Sequence, residues 1–191
     1  MTTMATPYPP SGPYTVEDLE AMPDDGRRYE LIDGELLVSP APGIRHQKIV
    51  TKLSALLDGL CPSEMHVLVA PFAVRPSHKT EVQPDVLVAR DEDLTDKNLP
   101  VGPLLAVEIL SPSTASNDFI SKKAAYARMG TPSYWIVDPE LPRLMAFQLD
   151  GYGQYQMVAD VKDEDAFEAE RPFPVRIVPA ELLGTLRRSD I

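Results

Sequence analysis

Apolar residues recur along this chain in two rhythms, and the switches between them mark out its elements. Ile49, Val50, Leu53, Leu56, Leu57 and Leu60 fall at i, i+1, i+4, i+7, i+8 and i+11, which predicts an amphipathic helix over His46–Leu60. Ser113–Met129 opens with cap-like residues and stops at Gly130, which predicts a second long helix. Compact apolar runs predict strands at His66–Val74, Val82–Ala89, Leu104–Leu110 and Tyr134–Val137. Tyr29–Ile32 and Glu35–Val38 flank Asp33-Gly34, a dipeptide that suits the two positive-φ positions of a tight hairpin turn. Residues 142–148 and 153–158 read as another hairpin around Asp150-Gly-Tyr-Gly153, followed by a strand near Pro174–Val178 and a short helix around Ala180–Leu186. Thr15–Met22 reads as a short helix with Thr15 at the N-cap and Asp18 approximating a capping box.

The order of elements predicts an α/β (α+β) architecture, a mixed central sheet flanked by helices. We expect one domain over residues 14–191, preceded by a loose arm over residues 1–13, where Pro, Ser and Thr dominate. A length of 191 residues with 43% hydrophobic and 25% charged residues suits one folded domain rather than a disordered chain. One cysteine, Cys61, excludes an intramolecular disulfide framework and a cysteine-based zinc site, and three scattered histidines argue against a multi-histidine metal site. No apolar run approaches the ~20 residues of a membrane span, and no secretory signal is visible at the N-terminus, so a reducing cytoplasm is the expected location.

The net charge of −11 disfavours nucleic-acid binding by broad electrostatics. The charge is uneven, however: −6 over residues 1–40, zero over 41–137 and −5 over 138–191. The balanced middle holds the candidate chemistry. Asp85 lies inside the apolar run Val82–Ala89 and Glu108 inside Leu104–Leu110. A carboxylate in a buried strand costs several kcal/mol unless a cation or hydrogen bonds compensate it. Two of them on neighbouring strands repel each other unless a proton or metal intervenes, and such oxygen ligands suit Mg²⁺ or Mn²⁺. Asp118, Lys122 and Tyr126 recur every four residues on the next helix and so share a face. A lysine there can lean toward Glu108 and steady a metal-bound water; spacing does not choose between Lys122 and Lys123. Gln83, two residues before Asp85 on a strand, shares its face and is a candidate for hydrogen-bonding the substrate.

Together, Pro84-Asp85, Glu108-Ile-Leu110 and a following lysine resemble the PD-(D/E)XK nuclease core. A more specific resemblance, running from about Tyr29 to Tyr155, is to the Uma-two family of restriction-endonuclease-like proteins. It rests on Tyr29-Glu-Leu-Ile-Asp-Gly-Glu-Leu36, His46, Gln83-Pro-Asp-Val86, Val107-Glu-Ile-Leu-Ser-Pro-Ser-Thr114, the Asp118/Lys122/Tyr126/Gly130 series and Tyr134-Trp-Ile-Val-Asp-Pro139. Leu110 stands where the broad nuclease pattern has its lysine, and the resemblance implies that the lysine comes from the following helix, as Lys122.

The resemblance implies a metal-dependent phosphodiesterase acting on nucleic acid, DNA in first place, and a homodimer. It implies Asp85, Glu108 and Lys122 as the catalytic set, with Mg²⁺ or Mn²⁺ held by Asp85, Glu108 and the Ile109 backbone carbonyl. Glu30 matches the first acidic position of the family and is expected to support the metal, with Glu35 as the alternative. His46, Arg75, His78 and Lys79 are candidates for phosphate contact, and Trp135 is expected in the core. The competing expectation is a catalytically silent interaction module that keeps the nuclease fold.

Overall fold

The computed structural model describes residues 12–111 and 117–187. The chain runs in order through α1 (Val16–Glu20), β1 (Arg28–Ile32), β2 (Glu35–Ser39), α2 (Ile44–Asp58), β3 (Met65–Val69), β4 (Ala73–Ser77), β5 (Thr80–Val82) and β6 (Val86–Arg90). A 3₁₀ turn at Asp91–Asp93 leads to β7 (Asn98–Leu99), β8 (Leu105–Ile109), α3 (Asn117–Arg128), β9 (Ser133–Asp138), β10 (Arg143–Leu149) and β11 (Tyr155–Lys162). The chain closes with β12 (Phe167–Ala169), β13 (Val175–Ile177) and α4 (Pro179–Leu183), which runs into a second 3₁₀ turn.

A six-stranded mixed sheet, ordered β11-β10-β9-β8-β6-β3, forms the centre; only its β8–β9 pair is parallel. The strands alternate their side chains between two cores. On one face Val86, Val88, Leu105, Val107 and Trp135 pack against Ile49, Leu53 and Leu57 of α2, together with α4 and the β12–β13 pair. On the other, Leu87, Ala106, Tyr134 and Ile136 meet Ala125 and Tyr126 of α3. That second core also takes in Ile32, Val74, Val82 and Leu99 from a five-stranded sheet ordered β2-β1-β5-β4-β7. A mixed sheet between helical layers is the predicted α+β architecture.

Local chemistry explains the sharper boundaries. Thr15 forms a complete capping box, accepting from the Asp18 N–H while its own N–H donates to Asp18 Oδ2 at 2.9 Å. Asp33 and Gly34 adopt φ of 52° and 86°, as the β1–β2 turn requires. Two runs expected as single strands are each divided. His66–Val74 becomes β3 and β4, and Val82–Ala89 becomes β5 and β6. In the second case the break falls at Gln83-Pro84-Asp85, where Pro84 has no N–H to give a ladder. It sends β5 into the smaller sheet, beside β1, and β6 into the larger one, beside β8. β7 and β12, which no apolar run marks in the sequence, are short pairings decided by their partners. Residues 1–11 of the expected arm, and the Ser113 start expected for the second long helix, lie outside the described residues. No helix among the described residues is long and apolar enough to cross a membrane.

Candidate active site

The division at Pro84 places Asp85 where the two sheets diverge. The β6–β8 register sets Val86 opposite Val107, and one step further sets Asp85 against Glu108. Strand alternation puts both on the face that carries Leu87 and Ala106, toward α3. On β1, Tyr29 and Leu31 pack against α1, so Arg28, Glu30 and Ile32 turn the other way, toward the same core. The period of α3 then brings Lys122 and Tyr126 onto the inward face, four residues apart. Thus β1, the β5–β6 hinge, β8 and α3 converge on one buried polar cluster.

Glu30, Asp85, Glu108 and Lys122 are all buried. Lys122 Nζ lies 2.8 Å from Glu30 Oε2 and 3.0 Å from Glu108 Oε2, bridging acids from two sheets. The Tyr126 hydroxyl donates to Glu108 Oε1 at 2.8 Å, and the Gln83 backbone N–H donates to Glu30 Oε1 at 2.7 Å. Asp85 Oδ1 accepts from Arg28 Nη1 at 2.9 Å; Oδ2 accepts from the Ile109 N–H at 2.8 Å and lies 3.0 Å from His46 Nε2. All six carboxylate oxygens of the three acids therefore have a protein partner.

The electrostatics differ between the acids. Burial works to raise the Asp85 pKa, but the His46 hydrogen bond, the Arg28 charge and the Ile109 N–H outweigh it and hold the carboxyl down at about 2. Burial pushes Glu108 up, and the charges of Asp85 and Glu30 add to that, against the opposing pull of Lys122. Burial also disfavours the Lys122 ammonium, yet Glu108 and Glu30 override it and hold its pKa above the ordinary lysine value. The site thus keeps Lys122 charged and Asp85 ionised, and leaves Glu108 readier to take a proton than an ordinary glutamate.

The remaining candidates divide plainly. Lys123, the competitor of Lys122, points elsewhere, its Nζ 3.6 Å from the Phe147 ring centroid. Glu35 is exposed on β2, whereas Glu30 is in the cluster. His46, the third residue of α2, grips Asp85 through Nε2, and its Nδ1 is buried with no partner among the described residues. Gln83 enters through its backbone, since its carbonyl also accepts from Arg28 Nη1 at 3.1 Å. Arg75 is drawn to Glu81 and Glu20, and Lys79 sits exposed at the β4–β5 turn; neither touches the acid cluster. Trp135 is 2% exposed in the core. The side chain of Asp118 lies outside the described residues. Sequence reasoning missed Arg28, although its place two residues before Glu30 on a strand put both on one face.

Hard carboxylate oxygens on one face of adjacent strands are the donor type that Mg²⁺ and Mn²⁺ prefer, so the chemistry of the donor set fits such an ion. As the side chains stand, no group of three His, Cys, Asp or Glu among the described residues is placed to grip one. The protein's own cations hold the acids instead.

A mixed sheet that presents paired acids at a strand end, with a lysine from the next helix, defines a restriction-endonuclease-like protein. The family model described as "Putative restriction endonuclease", Uma2, matches residues 16–181, and the chain belongs to this Uma2 (Uma-two) family. Among solved structures, the chain is similar to one titled a "putative nuclease belonging to DUF820" from Anabaena variabilis. The two are 17% identical with a TM-score of 0.74, and the match covers 91% of this chain and 99% of that one. No curated protein matches the chain.

Proposed function

We propose that this restriction-endonuclease-like protein is a divalent-metal-dependent nuclease that hydrolyses phosphodiester bonds of DNA. The observation that carries the reading is the convergence of Glu30, Asp85 and Glu108 on Lys122 in one buried site. In this reading Asp85 and Glu108 hold Mg²⁺ or Mn²⁺, with the Ile109 carbonyl as a further ligand and Glu30 in support. When bound, the ion supplies Lewis acidity, polarising the phosphate and acidifying a water. Lys122, kept charged by its two acids, orients the attacking water and offsets charge that builds on the phosphate. Tyr126 fixes the rotamer of Glu108 through its hydrogen bond. His46 holds Asp85 ionised and correctly turned, which assigns it to positioning rather than to phosphate contact. A cytoplasmic homodimer fits this reading, because two sites are needed to cut both strands together.

One observation favours a second reading, a silent module of the same fold: every carboxylate oxygen of the three acids is already matched within the protein. Incubation of supercoiled plasmid with Mg²⁺ or Mn²⁺ decides between them. The nuclease reading expects nicking that EDTA stops and that Asp85→Asn and Lys122→Met each abolish. Nicking that survives in either variant is contamination, and metal binding without cutting of duplex, single-stranded or branched DNA points to the silent module.

A further inference from the structure

We propose that Arg28 couples metal binding to polyanion binding by exchanging Asp85 for a substrate phosphate; this rests on the metal-dependent reading above. Three cationic or ionisable donors meet the acids, and they differ in access. The Arg28 side chain is 20% exposed, against 8% for Lys122 and 10% for His46. A guanidinium carries five N–H donors in a planar fork. In Arg28 only Nη1 is engaged among the described residues, by Asp85 Oδ1 and the Gln83 carbonyl. Arg28 also borders an open cavity of about 280 Å³ whose lining includes Arg27, Gln83 and three acids, Glu20, Glu81 and Asp24, of which the first two are already paired with Arg75.

The charges make the exchange reciprocal. Arg28 and a divalent cation compete for the same carboxylate, so an ion arriving at Asp85 repels the guanidinium. Lys122 is locked between Glu30 and Glu108, and Arg75 is taken by Glu81 and Glu20. Arg28 is therefore the cation of the cluster that can swing outward while the Gln83 carbonyl still tethers it. A phosphate in the cavity would meet it as a fork, the geometry in which arginine binds best. In a chain of net charge −11, such a contact matters, because little else attracts a polyanion. Linkage then requires the ion to tighten the polyanion and the polyanion to tighten the ion by the same factor.

Calorimetry with Ca²⁺, and anisotropy of a labelled 20-base-pair duplex in Ca²⁺ against EDTA, test this without any cutting. Without DNA, Arg28→Gln is expected to bind Ca²⁺ about fivefold or more tighter than the unaltered protein, because the competitor is gone. Ca²⁺ is expected to tighten duplex binding of the unaltered protein by about fivefold or more, and Arg28→Gln to lose most of that gain. Arginine side-chain NMR of the unaltered protein covers the case in which the variant does not fold. Its Arg28 guanidinium should become more mobile with Ca²⁺ alone, held then only by the Gln83 carbonyl, and restrained again when duplex is added. Unchanged Ca²⁺ affinity in Arg28→Gln, a full duplex gain in that variant, or a signal indifferent to Ca²⁺ overturns the exchange. Absence of any Ca²⁺ binding instead overturns the metal reading on which it rests.

Discussion

Replacing Lys122 with methionine isolates the interaction that holds the site together. The lysine Nζ sits 2.8 Å from Glu30 and 3.0 Å from Glu108, and all three side chains are buried. Methionine fills most of the volume but leaves two carboxylates facing each other with no cation between them. Removing one partner of a buried ion pair costs about 3–5 kcal/mol, mostly from the charge left behind. With a urea m-value of about 2 kcal/mol/M, the unfolding midpoint should fall by about 2 M. The sole tryptophan, Trp135, lies in the core and reports the transition by fluorescence.

The pH dependence carries its own sign. Glu108 already sits above its ordinary 4.5 because burial, Asp85 and Glu30 outweigh the attraction of Lys122, and loss of the lysine raises it further. Above about pH 4.5 the unfolded chain ionises while the folded variant resists. The variant therefore loses stability as pH rises, by up to about 1.4 kcal/mol per pH unit for each such group, and recovers it on acidification. In the unaltered protein the raised Lys122 pKa contributes stability that is complete below 10.5 and is lost only at more alkaline pH. The deficit of Lys122→Met should thus be largest near pH 8 and shrink toward pH 5. A deficit under about 1 kcal/mol at pH 8, or one that widens on acidification, would falsify the ion-pair account.

Three further outcomes follow from the same geometry. Tyr126→Phe strips Glu108 Oε1 of its donor in a buried setting and should cost about 1–3 kcal/mol in urea unfolding, with metal-supported cutting reduced. Asp85→Asn should be less stable than the unaltered protein above about pH 4. Because Asp85 is held near 2 when folded against 3.8 ordinarily, its contribution is lost as pH falls through that interval, so the two acid-unfolding curves should converge there. Gly102→Ala would set a Cβ 2.5 Å from the Met129 carbonyl oxygen at the end of α3; overpacking of about 1–3 kcal/mol should appear as a lower melting temperature.

Much of the fold was legible because its signals are local. The stripe from Ile49 to Leu57 marks α2 and the Asp33-Gly34 turn marks the first hairpin. The Tyr134–Val137 run lies within the central strand β9. Asp85 and Glu108 stood out because acids inside apolar runs need a reason. What periodicity cannot show is where a run bends from one sheet to another. Val82–Ala89 reads as one strand because β5 and β6 are both apolar; only pairing with different partners, across a proline that cannot donate, divides them. β7, two residues long, exists only because β4 accepts it.

The same division runs through the site. By itself the sequence singled out two strand acids and a lysine on the following helix, and the family resemblance it carries added a hairpin acid. Spacing left Lys122 and Lys123 open and the family resemblance pointed to Lys122; tertiary structure supplies the physical reason, since the two differ by 100° of helix rotation, about one residue's turn, and the packing of α3 sends one to the acids and the other to Phe147. It also decided that Gln83 serves through its backbone, that His46 faces Asp85, and that Arg28 shares the cluster. These are contacts between segments far apart in the chain, and no local pattern encodes the distance between two side chains until the sheets are assembled around them.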